Sequence, residues 1–157
     1  MIILGIDPGT AIVGYAIISL KDNELVAIDY GCIKTSKKEI FSKRLSQIYH
    51  GIDILIKKNK PDQIAIENIY FAKNVKTAMR VSEARGVAIL AAAENKIEVV
   101  EFTPLQVKKA LTGYGRASKN QIQQMVKIVF KLKKIPRPDD VADALAIALT
   151  CSQTKKF

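Results

Sequence analysis

The sequence has 157 residues, 48% of them hydrophobic and 25% charged, and its 25 Lys and Arg against 15 Asp and Glu give a net charge of +10. That length and balance predict one globular domain, 1–157, able to bury a core without a disulfide or structural metal, and they exclude a disordered chain. No apolar run approaches the roughly 18 residues of a membrane span, and MIILGIDPGT lacks the features of a signal peptide, so a cytoplasmic protein with no membrane role is expected, with Cys32 and Cys151 as ordinary buried thiols.

Ile2–Asp7 is a short apolar run that ends in a carboxylate before the Pro8-Gly9 breaker, and it reads as a first strand. Ile12–Leu20 and Glu24–Ile33, joined by the turn Lys21-Asp22-Asn23, complete an antiparallel meander. Ile40–Lys58 switches to helical spacing, with Ile40, Phe41, Leu45, Ile48, Ile52, Leu55 and Ile56 on one stripe. Pro61 closes that helix, and Gln63–Glu67 reads as a buried strand. Val75–Asn95 is a long helix rich in alanine, and Ile97–Phe102 a fifth strand. Thr103-Pro104 is a good N-cap and first-turn pair for a helix reaching Leu111. Ser118 and Gln121 form a capping-box pair opening a helix to Leu132, and a last helix covers Asp139 to Cys151. This order predicts an α/β fold, a five-stranded mixed sheet with helices on both faces.

Between Phe102 and Pro138 there are nine basic residues and no acid, among them Lys108, Arg116 and Lys119. A one-signed stretch of this length attracts polyanions, although it also serves as a solvated surface. Against it stand four acids. Asp7 and Glu67 end strands, and neighbouring parallel strands bring their carboxyl ends to one crevice. Asp140 and Asp143 share a face at the start of the last helix. An acid in such places also marks a strand leaving the core, or favours a helix N-terminus. Taken together, converging carboxylates repel one another and call for a cation. Oxygen donors select a hard ion such as Mg2+ or Mn2+, and two ions about 3.5–4 Å apart suit phosphodiester hydrolysis. His50 reads as a packed or surface histidine. The segment Gly5-Ile6-Asp7-Pro8-Gly9-Thr10 also resembles the first phosphate loop of actin-like and sugar-kinase ATPases, but those folds need two such lobes.

GIDPGT followed by Gly14-Tyr15, then IENIYFAKN, EARGVAILAA and DDVADALAIAL, resemble in order and spacing the bacterial Holliday junction resolvase family RuvC. The resemblance covers essentially the whole chain. It implies a ribonuclease H-like fold and a homodimeric, Mg2+-dependent endonuclease, with two ions per site and Mn2+ as a substitute, that resolves four-way DNA junctions in recombination and repair. It places the metal-binding, catalytic carboxylates on Asp7, Glu67, Asp140 and Asp143. It puts cations near the scissile phosphate at Lys108 and Lys119; Arg116, from the same basic stretch, is a further DNA-binding candidate. Tyr70 stands where the family usually has a phenylalanine near the junction centre. The family also works with the RuvA-RuvB branch-migration complex. Another ribonuclease H-like nuclease, or a non-catalytic junction-binding module, is the alternative; the acids at all four positions argue against the latter.

Overall fold

Residues 1–69 and 75–154 are described by a computed structural model of the chain. Its elements are β1 (Ile2–Asp7), β2 (Ile12–Lys21), β3 (Glu24–Lys34), α1 (Phe41–Asn59), β4 (Gln63–Glu67), α2 (Val75–Glu94), β5 (Glu98–Phe102), α3 (Pro104–Thr112), α4 (Lys119–Val129) and α5 (Asp139–Gln153). The strands form one sheet in the order β3-β2-β1-β4-β5. The meander pairs antiparallel, helped by a two-residue turn in which Asp22 and Asn23 both take positive φ, 51° and 65°. From β1 outward the pairing is parallel, β1 with β4 and β4 with β5, as helical crossovers require. The mixed sheet expected from the sequence is therefore present.

Helices cover both faces. On one, Ile48, Ile52 and Ile56 of α1 and Ala84, Ala88 and Ala91 of α2 pack with Leu4, Ile6, Ile17 and Ile66. On the other, α3, α4 and α5 enclose Ile3, Ala16, Ile18 and Ala65. Helix α5 lies unusually close to the sheet because glycines meet it. A Cβ on Gly5 would collide with the Ala144 carbonyl oxygen, and one on Gly14 with that of Asp140. This close approach sets the N-terminal turn of α5 against the end of β1.

Boundaries follow the sequence signals within a residue or two in most places. Thr103 and Ser118 both cap their helices through full capping boxes, with Gln106 and Gln121 as the reciprocal partners. Three expectations are corrected. Ile40 is not part of the buried stripe of α1; it is the N-cap residue and 72% exposed. Helix α4 stops at Val129 and not Leu132, because Lys131 turns to φ 52° and starts a new chain direction. Cys32 is half-buried on the outer strand β3, whereas Cys151 is buried. His50 is exposed and pairs with its own helix through Ser46. Among the described residues no helix is long and apolar enough to cross a membrane.

Candidate active site

Strand periodicity places the first two acids. Ile3 and Gly5 point toward α5, so Asp7, two residues further on, points the same way. Ala65 lies on that face of β4, and Glu67 follows it by two. Ile6 pairs with Ile66 across the parallel ladder, so the two carboxylates leave adjacent strands at the same level. Helix α5 supplies the rest. Its backbone at Asp140 and Ala144 rests on Gly14 and Gly5, which carries Asp140 and Asp143 onto the ends of β1 and β4.

Burial and mutual repulsion both act on the acids. Asp7 is pushed up to about 8, first by burial and then by repulsion from Asp143, Glu67 and Asp140, with Lys119 partly offsetting them. Burial also raises Glu67, with Asp143 adding to it and Lys108 and Lys119 opposing. Asp143 is raised by burial against the pull of Lys119. Asp139, next to Asp140 in sequence, behaves differently. Its carboxyl is lowered, chiefly by a hydrogen bond from Lys119, and it also pairs with Arg137. Asp140 is among the groups that press on Asp7 and Asp139 is not, whereas both press on Asp143.

A cavity of about 260 Å³ opens between α3, α4 and α5. Glu67 and Asp143 face Lys108 and Lys119 across it, and Val107, Ile122 and Ile147 give it an apolar wall. Asp7 and Asp140 do not line this cavity and act on Asp143 or one another from its side. Lys119 Nζ stands 3.2 Å from Asp143 Oδ2 and 3.2 Å from Asp139 Oδ2. Arg116 is exposed in the α3–α4 loop and outside the cavity lining. Tyr70 lies outside the described residues.

Do these residues suit a divalent ion? Among the described residues no three His, Cys, Asp or Glu side chains already converge as a ligand set. Asp143 pairs instead with the Lys119 ammonium. The donor chemistry nevertheless fits a hard cation: oxygen only, with carboxyls whose ionisation is suppressed by burial and by each other. Lys119 marks where positive charge is wanted.

A family model described as crossover junction endodeoxyribonuclease RuvC matches residues 3–151. The chain belongs to the RuvC family. The RuvC of Alkaliphilus metalliredigens is 55% identical, over 100% of this chain and 96% of its own length. That of Clostridioides difficile strain 630 is 53% identical, over 100% and 93%. Among solved structures, Thermus thermophilus RuvC in complex with Holliday junction substrate is 34% identical and superimposes with a TM-score of 0.92, covering 97% of this chain and 93% of that one. This RuvC family member accordingly has the ribonuclease H-like fold and is a crossover junction endonuclease, and family membership carries dependence on a divalent metal.

Two contacts of the site have no counterpart in the sequence reading: the Asp139 arm on Lys119, and Arg85 of α2 reaching the Glu67 backbone. The only sequence sign of the second is a long cation beside the small buried residues of an alanine-rich helix.

Proposed function

We propose that this chain, as a single domain, resolves four-way DNA junctions by paired hydrolysis, with Asp7, Glu67, Asp140 and Asp143 holding two Mg2+ ions for which Mn2+ substitutes. The observation that carries this reading is that Glu67 and Asp143, both raised by burial, line one cavity with Lys108 and Lys119, while both acids press on the buried Asp7 beside it. The ions supply activation of a water and neutralisation of charge on the displaced oxygen. The chain's own residues do the rest. The carboxylates bind and orient the ions, and Asp7 must release its proton to do so. Lys108 and Lys119 flank the cavity, where a phosphate approaching Glu67 and Asp143 meets both ammonium groups, and they stabilise negative charge that grows in the transition state.

A two-fold DNA junction is matched by a two-fold dimer with one site per cut strand. The outer side of α2 suits that contact: Met79 and Leu90 are 61% and 51% exposed, and Gly86 between them faces open space. Arg116 joins the DNA-binding face, and Tyr70, three residues after Glu67, stacks at the junction centre. RuvA-RuvB act with the dimer in the cytoplasm. The test is nicking of a synthetic four-way junction in Mg2+, in EDTA, and with Asp7→Asn. Symmetric cutting that needs both the ion and Asp7 supports the proposal. Binding without cutting in Mg2+ would instead mark a junction-binding module.

A further inference from the structure

The buried side of α2 is made of small residues, Ala84, Ala88, Ala91 and Ala92, and one long cation stands next to that stripe. Arg85 keeps only 17% of its side chain exposed. Its Nε donates a hydrogen bond to the Glu67 carbonyl oxygen at 3.2 Å. Its Nη2 lies 2.5 Å from Glu101 Oε2 in an ion pair that is not aligned as a hydrogen bond. One guanidinium thus spans the ends of β4 and β5, where Ile66 pairs with Glu101 and Glu67 with Phe102. The next peptide unit is tied as well, the Asn68 amide donating to the Phe102 carbonyl oxygen at 2.8 Å.

We propose that Arg85 is a positioning residue that fixes the backbone of Glu67, and through it the direction of the Glu67 carboxylate toward Asp7 and Asp143. It rests on the reading of Glu67 as a metal ligand. The need for such a hold is physical. Glu67 ends its strand beside the like charge of Asp143, and past it, among the described residues, the ladder continues through the Asn68 bond alone. Arginine suits the task because its rigid planar fork presents separate nitrogens to two acceptors in a fixed geometry, whereas a lysine offers a single point charge on a flexible stem. An outer group that orients a ligand without touching the ion commonly changes metal affinity by an order of magnitude or more.

The test uses the full chain with Arg85→Met, Arg85→Lys and Glu101→Gln. Three quantities are read: Mn2+ affinity from the electron paramagnetic resonance signal of the free ion, hydrogen exchange at the Asn68 amide, and junction binding without metal. Arg85→Met is expected to weaken Mn2+ binding about tenfold and to speed Asn68 exchange, while junction binding stays intact. Arg85→Lys should fall between Met and wild type. Glu101→Gln, at an exposed position that leaves the Glu67 contact in place, should shift Mn2+ binding in the same direction by a smaller factor. If Arg85→Met does not fold, Arg85→Lys and Glu101→Gln decide. Wild-type Mn2+ affinity in both overturns the proposal, whatever happens to the melting temperature. Glu67→Gln is the control for the underlying reading. Should it bind Mn2+ and cut junctions like wild type, Glu67 is not a ligand; should it fail while the Arg85 and Glu101 variants behave as wild type, only the positioning role is lost.

Discussion

The Lys119 ammonium bridges Asp143 and Asp139, 3.2 Å from a carboxylate oxygen of each, although only Asp143 belongs to the group of acids that press on Asp7. Burial works against the charge on Lys119, but the two aspartates outweigh it and hold its pKa above the usual lysine range. The lysine therefore stays charged beside Asp143 across the whole working range of pH. Were Asp143 to hold a divalent ion, as proposed, that ion would compete with this ammonium, and Asp139 would remain as the lysine's second partner.

The two aspartates separate by mutation. Asp143→Asn should abolish junction cutting, since it removes a ligand charge. Asp139→Asn leaves Lys119 its Asp143 partner, and a half-exposed ion pair contributes roughly 0.2–1 kcal/mol, so cutting should change by no more than about fivefold. Rates measured at saturating Mg2+ check this. A dead Asp139→Asn with an active Asp140→Asn would exchange the roles of these neighbours.

Asp7 makes the metal-free protein pH-sensitive. Its carboxyl rises from 3.8 to about 8 on folding. A raised acid contributes stability that is fully present below the unfolded value and is lost as pH climbs toward the folded one. Metal-free wild type should therefore lose stability relative to Asp7→Asn between pH 4 and pH 8. The variant should melt at about the wild-type temperature at pH 4 and roughly 10 °C or more higher at pH 8. Mg2+ should raise the wild-type midpoint more at pH 8 than at pH 5, because at the lower pH the ion must displace the Asp7 proton. Parallel melting curves for the two proteins across pH would show that Asp7 ionises freely.

Lys108 and Lys119 line the cavity with Glu67 and Asp143, and most of the other cations between Phe102 and Pro138 are exposed on the surface. Alanine at either cavity lysine should lower cutting by about a hundredfold with binding little changed, as expected for charge aimed at a transition state. Alanine at Lys133 and Lys134 together should do the opposite, flattening the salt dependence of binding by up to about 0.9 in log–log slope per lost phosphate contact. Equal effects of both pairs on binding and cutting would return the cavity lysines to a general electrostatic role.

How much of this was legible beforehand depends on the range of the interaction. The strands showed as β-branched runs, and the Ser118–Gln121 box appeared because both partners lie within one turn. Asp7 and Glu67 stood out because each ends an apolar run, and Asp140 and Asp143 because their spacing is helical. The Asp139–Lys119 pair was not legible, since it depends on how the start of α4 docks against the start of α5. Arg85 was hidden for another reason. Its acceptor on Glu67 is a backbone carbonyl, which every residue has and no sequence pattern marks. Ile40 misled because an apolar residue at helical spacing also fits one position before the helix begins.

Two glycines should respond in opposite ways to the same added methyl group. At Gly14 a Cβ meets the Asp140 carbonyl oxygen, which is backbone and cannot rotate away. Gly14→Ala must therefore lift the first turn of α5, moving Asp140 and Asp143 together. It should lower the melting temperature and weaken Mn2+ binding by at least about tenfold, in line with other losses of ligand orientation. Gly86 lies on the exposed side of α2, where a Cβ meets nothing. In an isolated chain Gly86→Ala should stabilise the helix by roughly 0.8–1 kcal/mol. A dimer built on this side brings a second helix toward Gly86, and there a larger side chain keeps the two backbones apart. Gly86→Gln should consequently leave the thermal stability of a dilute monomer unchanged or improved, yet shift the dimer–monomer equilibrium toward monomer in sedimentation velocity. Paired cutting should then give way to single nicks. If Gly86→Gln dimerises as wild type does, the two-fold contact lies elsewhere than on this side of α2.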